Sequence, residues 1–265
     1  MKRILLVLTA FMLVFSACVG VHEEDDPEPP VPVIDPEDGS ADIGTRFFHR
    51  CLALEFTATW CQYCPNMAEA VHSAQLARPG RLVEVAVHYA DDLAAQETPA
   101  LVKRFGVTSY PTVVLDLDPS TAFQKHEPAP MLAYIDGWTG DAACGIAVDA
   151  SEEGVVKVRV KAAEAGTYRV AVALVRDGDV TEQAGYGPGY VNQAVLQGFL
   201  TSEEGDLLGV TGAGEERTAT FQADVAASGV RVAAWAIRET SSGLRAENAV
   251  QCALGNKIDY RYEAD

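Results

Sequence analysis

Leu54-Glu55-Phe56-Thr57-Ala58-Thr59-Trp60-Cys61-Gln62-Tyr63-Cys64-Pro65 is the stretch on which the reading of this chain turns. A short apolar run of strand composition leads straight into C-x-x-C. Residues Asn66 to Ala77 follow with helical composition and apolar positions at Met67, Ala70, Val71 and Ala74. This order places Cys61 at a helix N-terminus, where unpaired amide N–H groups and the positive end of the helix dipole favour a thiolate. Cys61 is therefore expected to attack, and Cys64, one turn on and deeper, to resolve the mixed disulfide.

Downstream, Arg81 to His88 reads as a buried parallel strand. A helix then starts with Thr98 as cap and Pro99 in its first turn, and Gly106 stops it. The loop Gly106-Val107-Thr108-Ser109-Tyr110-Pro111-Thr112 leads into a strand expected over Thr112 to Leu117, and a short helix is expected around Pro130 to Trp138. Trp60-Cys61-x-x-Cys64 after a Phe-containing strand, followed by this proline loop, resembles the thioredoxins over Thr45 to Gly140. The resemblance implies a cis Tyr110-Pro111 bond facing the cysteines, with Trp60, Tyr110 and Pro111 receiving an extended substrate strand. It also implies that Glu55 is the buried acid that relays the proton Cys64 must lose. The usual Gly-Pro between the cysteines is replaced by Gln62-Tyr63, and a proline follows Cys64 instead. These positions help set the reduction potential, so oxidation, reduction and isomerisation all stay open.

The N-terminus carries an export pattern: Lys2 and Arg3, an apolar run from Ile4 to Phe15, then Ser16-Ala17 before Cys18. Phe15-Ser16-Ala17-Cys18 resembles a bacterial lipobox, with Phe where Leu is usual, and implies lipidation of Cys18. Residues 18–44 hold Glu23, Glu24, Asp25, Asp26, Glu28 and five prolines, too little apolar surface to fold alone, and read as a disordered tether. The acidic run after the lipobox resembles the sorting tag of some Gram-negative surface lipoproteins, and it serves equally as a solubilising linker.

From Gly145 the texture changes to short β-rich runs at Gly145–Val148, Val155–Val160, Tyr168–Val175, Gly198–Leu200, Thr218–Phe221 and Val230–Ile237. Turn signals such as Asp177-Gly178, Glu204-Gly205 and Ser242-Gly243 separate them. The expected plan is thus a signal peptide over 1–17, a tether over 18–44, an α/β thioredoxin-like domain over 45–140 and an all-β antiparallel sandwich over 144–265. This plan resembles a group of thioredoxin-like outer-membrane lipoproteins of Gram-negative bacteria, in which Gly189 to Leu196 would be a recurring stretch.

The chain has 265 residues, ample for two cores, and a net charge of −18, which repels nucleic acid. Six cysteines suit an oxidising compartment. Cys51, in an apolar run, reads as a buried small hydrophobe. Cys144 and Cys252 flank the β-rich half, and a disulfide between them would close a loop of over 100 residues, adding about 3 to 5 kcal/mol. No second paired spacing of Cys or His accompanies C-x-x-C, which argues against zinc, and neither metal nor cofactor is expected. Tyr186, Tyr190 and Trp235 read as core aromatics of the sandwich. Two functions follow. The first is an envelope thiol–disulfide oxidoreductase acting on protein thiols and disulfides and held to a membrane by its N-terminal lipid. The second is a surface-exposed binding or structural lipoprotein that uses the same fold as a scaffold without redox turnover. No partner of the C-terminal half can be named from the residues.

Overall fold

The computed structural model describes residues 46–138, 140–223, 229–241 and 243–263. The expected signal peptide, the expected lipidation site Cys18 and the expected tether lie outside the described residues. The first part runs β1 (Cys51–Thr57), α1 (Cys64–Ala77), β2 (Leu82–His88), α2 (Thr98–Phe105), β3 (Thr112–Leu115), β4 (Asp118–Phe123) and α3 (Ala129–Gly137). β1 pairs parallel with β2 and antiparallel with β3, and every residue of these three strands is buried. One face of the sheet takes α1 and α3, through Ala53, Met67, Val71, Leu82, Met131 and Ile135. The other takes α2, through Leu54, Phe56, Val85, Leu101 and Phe105. This is a thioredoxin-like domain, reached by the expected order of elements.

Local chemistry sets the element ends. α1 begins at Cys64, three residues later than a helix entered at Cys61 would, because Pro65 occupies its first turn, where no amide N–H is needed. Cys61 accordingly sits in the turn before the helix. α2 is capped at Glu97, one residue before Thr98, and ends at Gly106 with φ of 62°. β3 stops at Leu115, short of Leu117, because Asp116 and Leu117 adopt positive φ angles of 45° and 61° and turn the chain into β4. Buried Asp116 holds this turn by accepting the Leu52 N–H at 2.7 Å.

From Cys144 onward the described chain forms strands: β5 (Cys144–Asp149), β6 (Val155–Ala162), β7 (Gly166–Arg176), β8 (Asp179–Gln183), β9 (Gly187–Asn192), β10 (Val195–Phe199), β11 (Asp206–Thr211), β12 (Glu216–Gln222), β13 (Val230–Thr240), β14 (Gly243–Ala253) and β15 (Lys257–Ile258). Four of them make a sheet in the order β12-β6-β5-β15. It packs against β7, β13 and β14, burying Ile146, Val158 and Val160 against Val170, Val172 and Val232. Alternation of buried and exposed residues along β6 is the signature of such a half-covered strand.

The first part and the β-rich part share one sheet. β10 lies parallel to β2, with the Ala86 N–H donating to the Ala194 carbonyl at 2.8 Å, giving the order β14-β13-β7-β10-β2-β1-β3-β4 with β11 beside β7. Four strands separate β14 from β1 in that order, yet Ala246 and Ala249 share a core with Leu52 and Leu54. The sheet therefore curls round this core, in which Trp235 meets Phe199 edge to face at 5.7 Å. Asn248 ties the edges, accepting the Arg50 N–H at 3.0 Å and donating to the carbonyls of Phe48 and Cys144.

The expected Cys144–Cys252 disulfide does not form. Both cysteines are free and buried, as is Cys51. Cys144 lies at the start of β5 beside Asn248 and Glu247, whereas Cys252 lies four residues further along β14, where Asp149 at the other end of β5 is its charged neighbour. Two sulphurs at opposite ends of one strand are beyond disulfide reach.

Candidate functional site

Cys61 and Cys64 form a disulfide, with Cα atoms 5.5 Å apart. Both are nearly enclosed, and they pack with Ala58 and with Tyr110 of the loop before Pro111. The Tyr110-Pro111 peptide is cis. The turn before α1 is closed by the Cys61 N–H donating to the Ala58 carbonyl at 3.1 Å and the Cys64 N–H donating to the Cys61 carbonyl at 3.3 Å. Aromatic groups line the open side. Trp60, half exposed, meets Tyr110 edge to face at 5.3 Å, Tyr89 stacks on Tyr110 at 5.4 Å, and exposed Tyr63 stacks on His126 at 5.8 Å. Burial pushes the Tyr110 phenol up to about 12, with Tyr89 adding to the effect, so it stays protonated. Tyr110 thus packs on the cysteines with Trp60 against its ring, and Pro111 follows it across the cis bond.

The loop after β2 holds the Trp60-Cys61 segment from one side. Asp91 accepts the Thr59 N–H at 2.7 Å and faces the His88 Nδ1 at 2.9 Å, while the Trp60 indole N–H donates to the Tyr89 carbonyl at 3.0 Å. Burial works against the Asp91 carboxylate, but hydrogen bonds from His88 and Thr59 outweigh it and hold the carboxyl below its ordinary range. Sequence reasoning missed His88 and Asp91. Only the meeting of the loop with residue 59 gives them a role, although an Asp three residues after a strand-end His was visible.

Beneath the helix lies a pair of buried carboxyl groups. Glu55 of β1 and Glu84 of β2 share a sheet face diagonally, since Glu55 pairs with Ala86 and Ala53 with Glu84. Burial raises the Glu55 carboxyl well above the ordinary range, and the neighbouring Glu84 raises it further. Burial pushes Glu84 up to about 7, against the opposing pull of Arg231. Gln75 of α1 donates to Glu84 at 3.3 Å, and one Glu55 oxygen has no hydrogen-bond partner. A carboxyl pair of this kind can take up or release a proton near neutral pH.

The other side of the motif is covered from the β-rich part, which the sequence did not suggest. β8 and β9 form a separate two-stranded hairpin between β7 and β10. The Ala184 N–H donates to the Thr59 carbonyl at 2.8 Å, and Gln183 donates to the carbonyls of Ala58 at 3.1 Å and Cys61 at 2.8 Å. Gly185, with φ of 82°, lies so close to Gln62 that a Cβ there would meet the Gln62 Cβ at 3.3 Å. Tyr186, exposed and not a core residue, donates to Asn66 at 2.8 Å and meets Tyr190 edge to face. Tyr190 lies near Glu55 and Glu84, and burial first, then the Glu55 charge, pushes its phenol up to about 12. Trp235, by contrast, is a core residue as expected.

Residues 48–132 match the thioredoxin family model. No curated protein matches the chain. Among solved structures, HBP35 of Porphyromonas gingivalis is similar with 20% identity and a TM-score of 0.68, over 80% of this chain and 76% of that one. A crystal structure of an Agrobacterium tumefaciens protein is similar with 17% identity and a TM-score of 0.59, over 84% of this chain and all of that one. At these identities the likeness is one of fold, and it extends through the β-rich part as well as the thioredoxin-like part.

Proposed function

We propose that the chain is a cell-envelope thiol–disulfide oxidoreductase acting on protein thiols. The observation that carries this reading is the Cys61–Cys64 disulfide on the turn into α1, packed against the cis Tyr110-Pro111 loop. In the reducing direction the Cys61 thiolate attacks a substrate disulfide, forming a mixed disulfide and releasing one substrate thiolate. The Cys64 thiolate then attacks the Cys61 sulphur, reforming the intramolecular disulfide and releasing the second substrate thiolate. Two electrons pass from the dithiol to the substrate, and the oxidising direction is the reverse. Glu55 takes the proton that Cys64 loses, supported by its burial on the α1 face of the sheet and its raised affinity for a proton. Trp60, Tyr110 and Pro111 receive the substrate segment, its backbone pairing with that of Tyr110.

Lipidation at Cys18 and an outer-membrane address belong to the same reading, supported by Lys2, Arg3, the apolar run to Phe15 and Ser16-Ala17 before Cys18. The test is the reduction potential of the Cys61–Cys64 pair in glutathione buffers, with Cys61→Ser as the inactive control. A value between about −120 and −270 mV with rapid exchange supports a working couple. A value below about −300 mV with slow exchange replaces it with a structural disulfide and a binding scaffold.

A further inference from the structure

Gln183 belongs to a polar strand in the β-rich part, yet it is buried, and its side-chain nitrogen donates to two carbonyls of the C-x-x-C turn. Both neighbours are carbonyl oxygens, so the nitrogen must face them, and its two hydrogens are both used. One of these carbonyls belongs to Cys61 itself, and the other already receives the Cys61 N–H. We propose that Gln183 is a positioning residue of the dithiol, acting through the Cys61 and Ala58 carbonyls to make the Cys61 thiolate easier to form. The inference rests on the redox reading for its biological use, but not for its physical test.

In the turn before α1 the Ala58 carbonyl accepts the Cys61 N–H and the Cys61 carbonyl accepts the Cys64 N–H, so the negative ends of two dipoles belong to the short segment that carries the Cys61 thiolate, which stands ahead of the first helical residue. Gln183 sets the positive end of an amide dipole on both. A dipole of about 3.5 D roughly 5 Å from a charge, at an effective dielectric of about 20, shifts the acidity by on the order of half a pKa unit. The titratable groups round the turn are Tyr63 within it and His126 stacked on Tyr63, Tyr110 from the proline loop with Tyr89 stacked on it, His88 and Asp91 from the end of β2, Glu55 and Glu84 from beneath, and Tyr186 and Tyr190 from the hairpin. None of them approaches the Cys61 carbonyl as Gln183 does.

The hairpin has further anchors, and these separate positioning from docking. Ala184 reaches Thr59 through its backbone, and Tyr186 reaches Asn66 through its hydroxyl. Gln183→Met keeps the volume and removes the amide, while Tyr186→Phe removes a docking bond and leaves the Cys61 carbonyl untouched. The experiment follows the rate of Cys61 alkylation by iodoacetamide against pH in the reduced full chain, resolved by site with mass spectrometry, alongside a thermal melt of each variant. The expected result is a midpoint raised by about half a pH unit in Q183M and unchanged in Y186F. An unchanged midpoint in Q183M, or an equal rise in Y186F, overturns the proposal. If Q183M does not melt cooperatively, Q183N, which withdraws the amide by one methylene, is judged by the same midpoint. A wild-type chain that fails to exchange with disulfides would refute the redox reading while leaving the Q183M midpoint to decide this one.

Discussion

Replacing Glu84 by Gln should change how the stability of this protein depends on pH. Glu84 is buried on β2, takes an amide hydrogen bond from Gln75 at 3.3 Å, and titrates near 7 because burial disfavours its charge. Its folded affinity for a proton thus exceeds its affinity in the unfolded chain, where an ordinary glutamate titrates near 4.3. The stability it contributes is complete below that unfolded value and is lost as pH rises through about 7. A gap of roughly 2.5 units corresponds to about 3 kcal/mol, or a fall of about 1 M in the urea midpoint between pH 5 and pH 8. Glu55, raised by burial and by Glu84, acts in the same direction. In Glu84→Gln the side chain keeps its shape and hydrogen-bonding capacity but cannot ionise. Urea unfolding at closely spaced pH values should give a variant midpoint above wild type at pH 8 and a shallower decline, and Glu55→Gln combined with it should flatten the remainder. Parallel curves for wild type and Glu84→Gln from pH 5 to 8 would refute the reasoning.

Two further outcomes follow from packing. An Ala at Gly145 would place its Cβ 2.5 Å from the Phe47 Cδ1 and 2.9 Å from the Tyr260 Cδ1, so Gly145→Ala should destabilise by about 1 to 3 kcal/mol in denaturant titrations, and a neutral result would show that these rings yield freely. Alkylation of the denatured, unreduced protein should label Cys51, Cys144 and Cys252, and reductant should then add only Cys61 and Cys64 among the described cysteines. Labelling of Cys144 and Cys252 only after reduction would mean that they are bridged.

Much of the thioredoxin-like part was legible because its signals are local. An apolar run entering C-x-x-C, a helix stopped by Gly106 and a proline loop are written in residues adjacent in the chain, and their order alone specifies β1, α1, β2, α2 and β3. In the β-rich part, apolar runs mark β5, β6, β7, β12 and β13, whereas β8 and β9 carry polar and glycine-rich sequences and β11 is a short edge strand whose Leu207 and Val210 face solvent, so none of these three shows the pattern of a half-buried strand. Pairings between distant segments were beyond such reading. That β10 extends the sheet from β2, that Cys144 and Cys252 lie apart, and that Glu55 has Glu84 as its neighbour follow from register. Most of all, Gln183 in Asp179-Val180-Thr181-Glu182-Gln183 looks like one more exposed polar residue of a hairpin. Burial decides its role, because an amide enclosed beside two carbonyls must hydrogen-bond to them. That enclosure exists only once a segment more than 100 residues away in sequence folds back over Cys61.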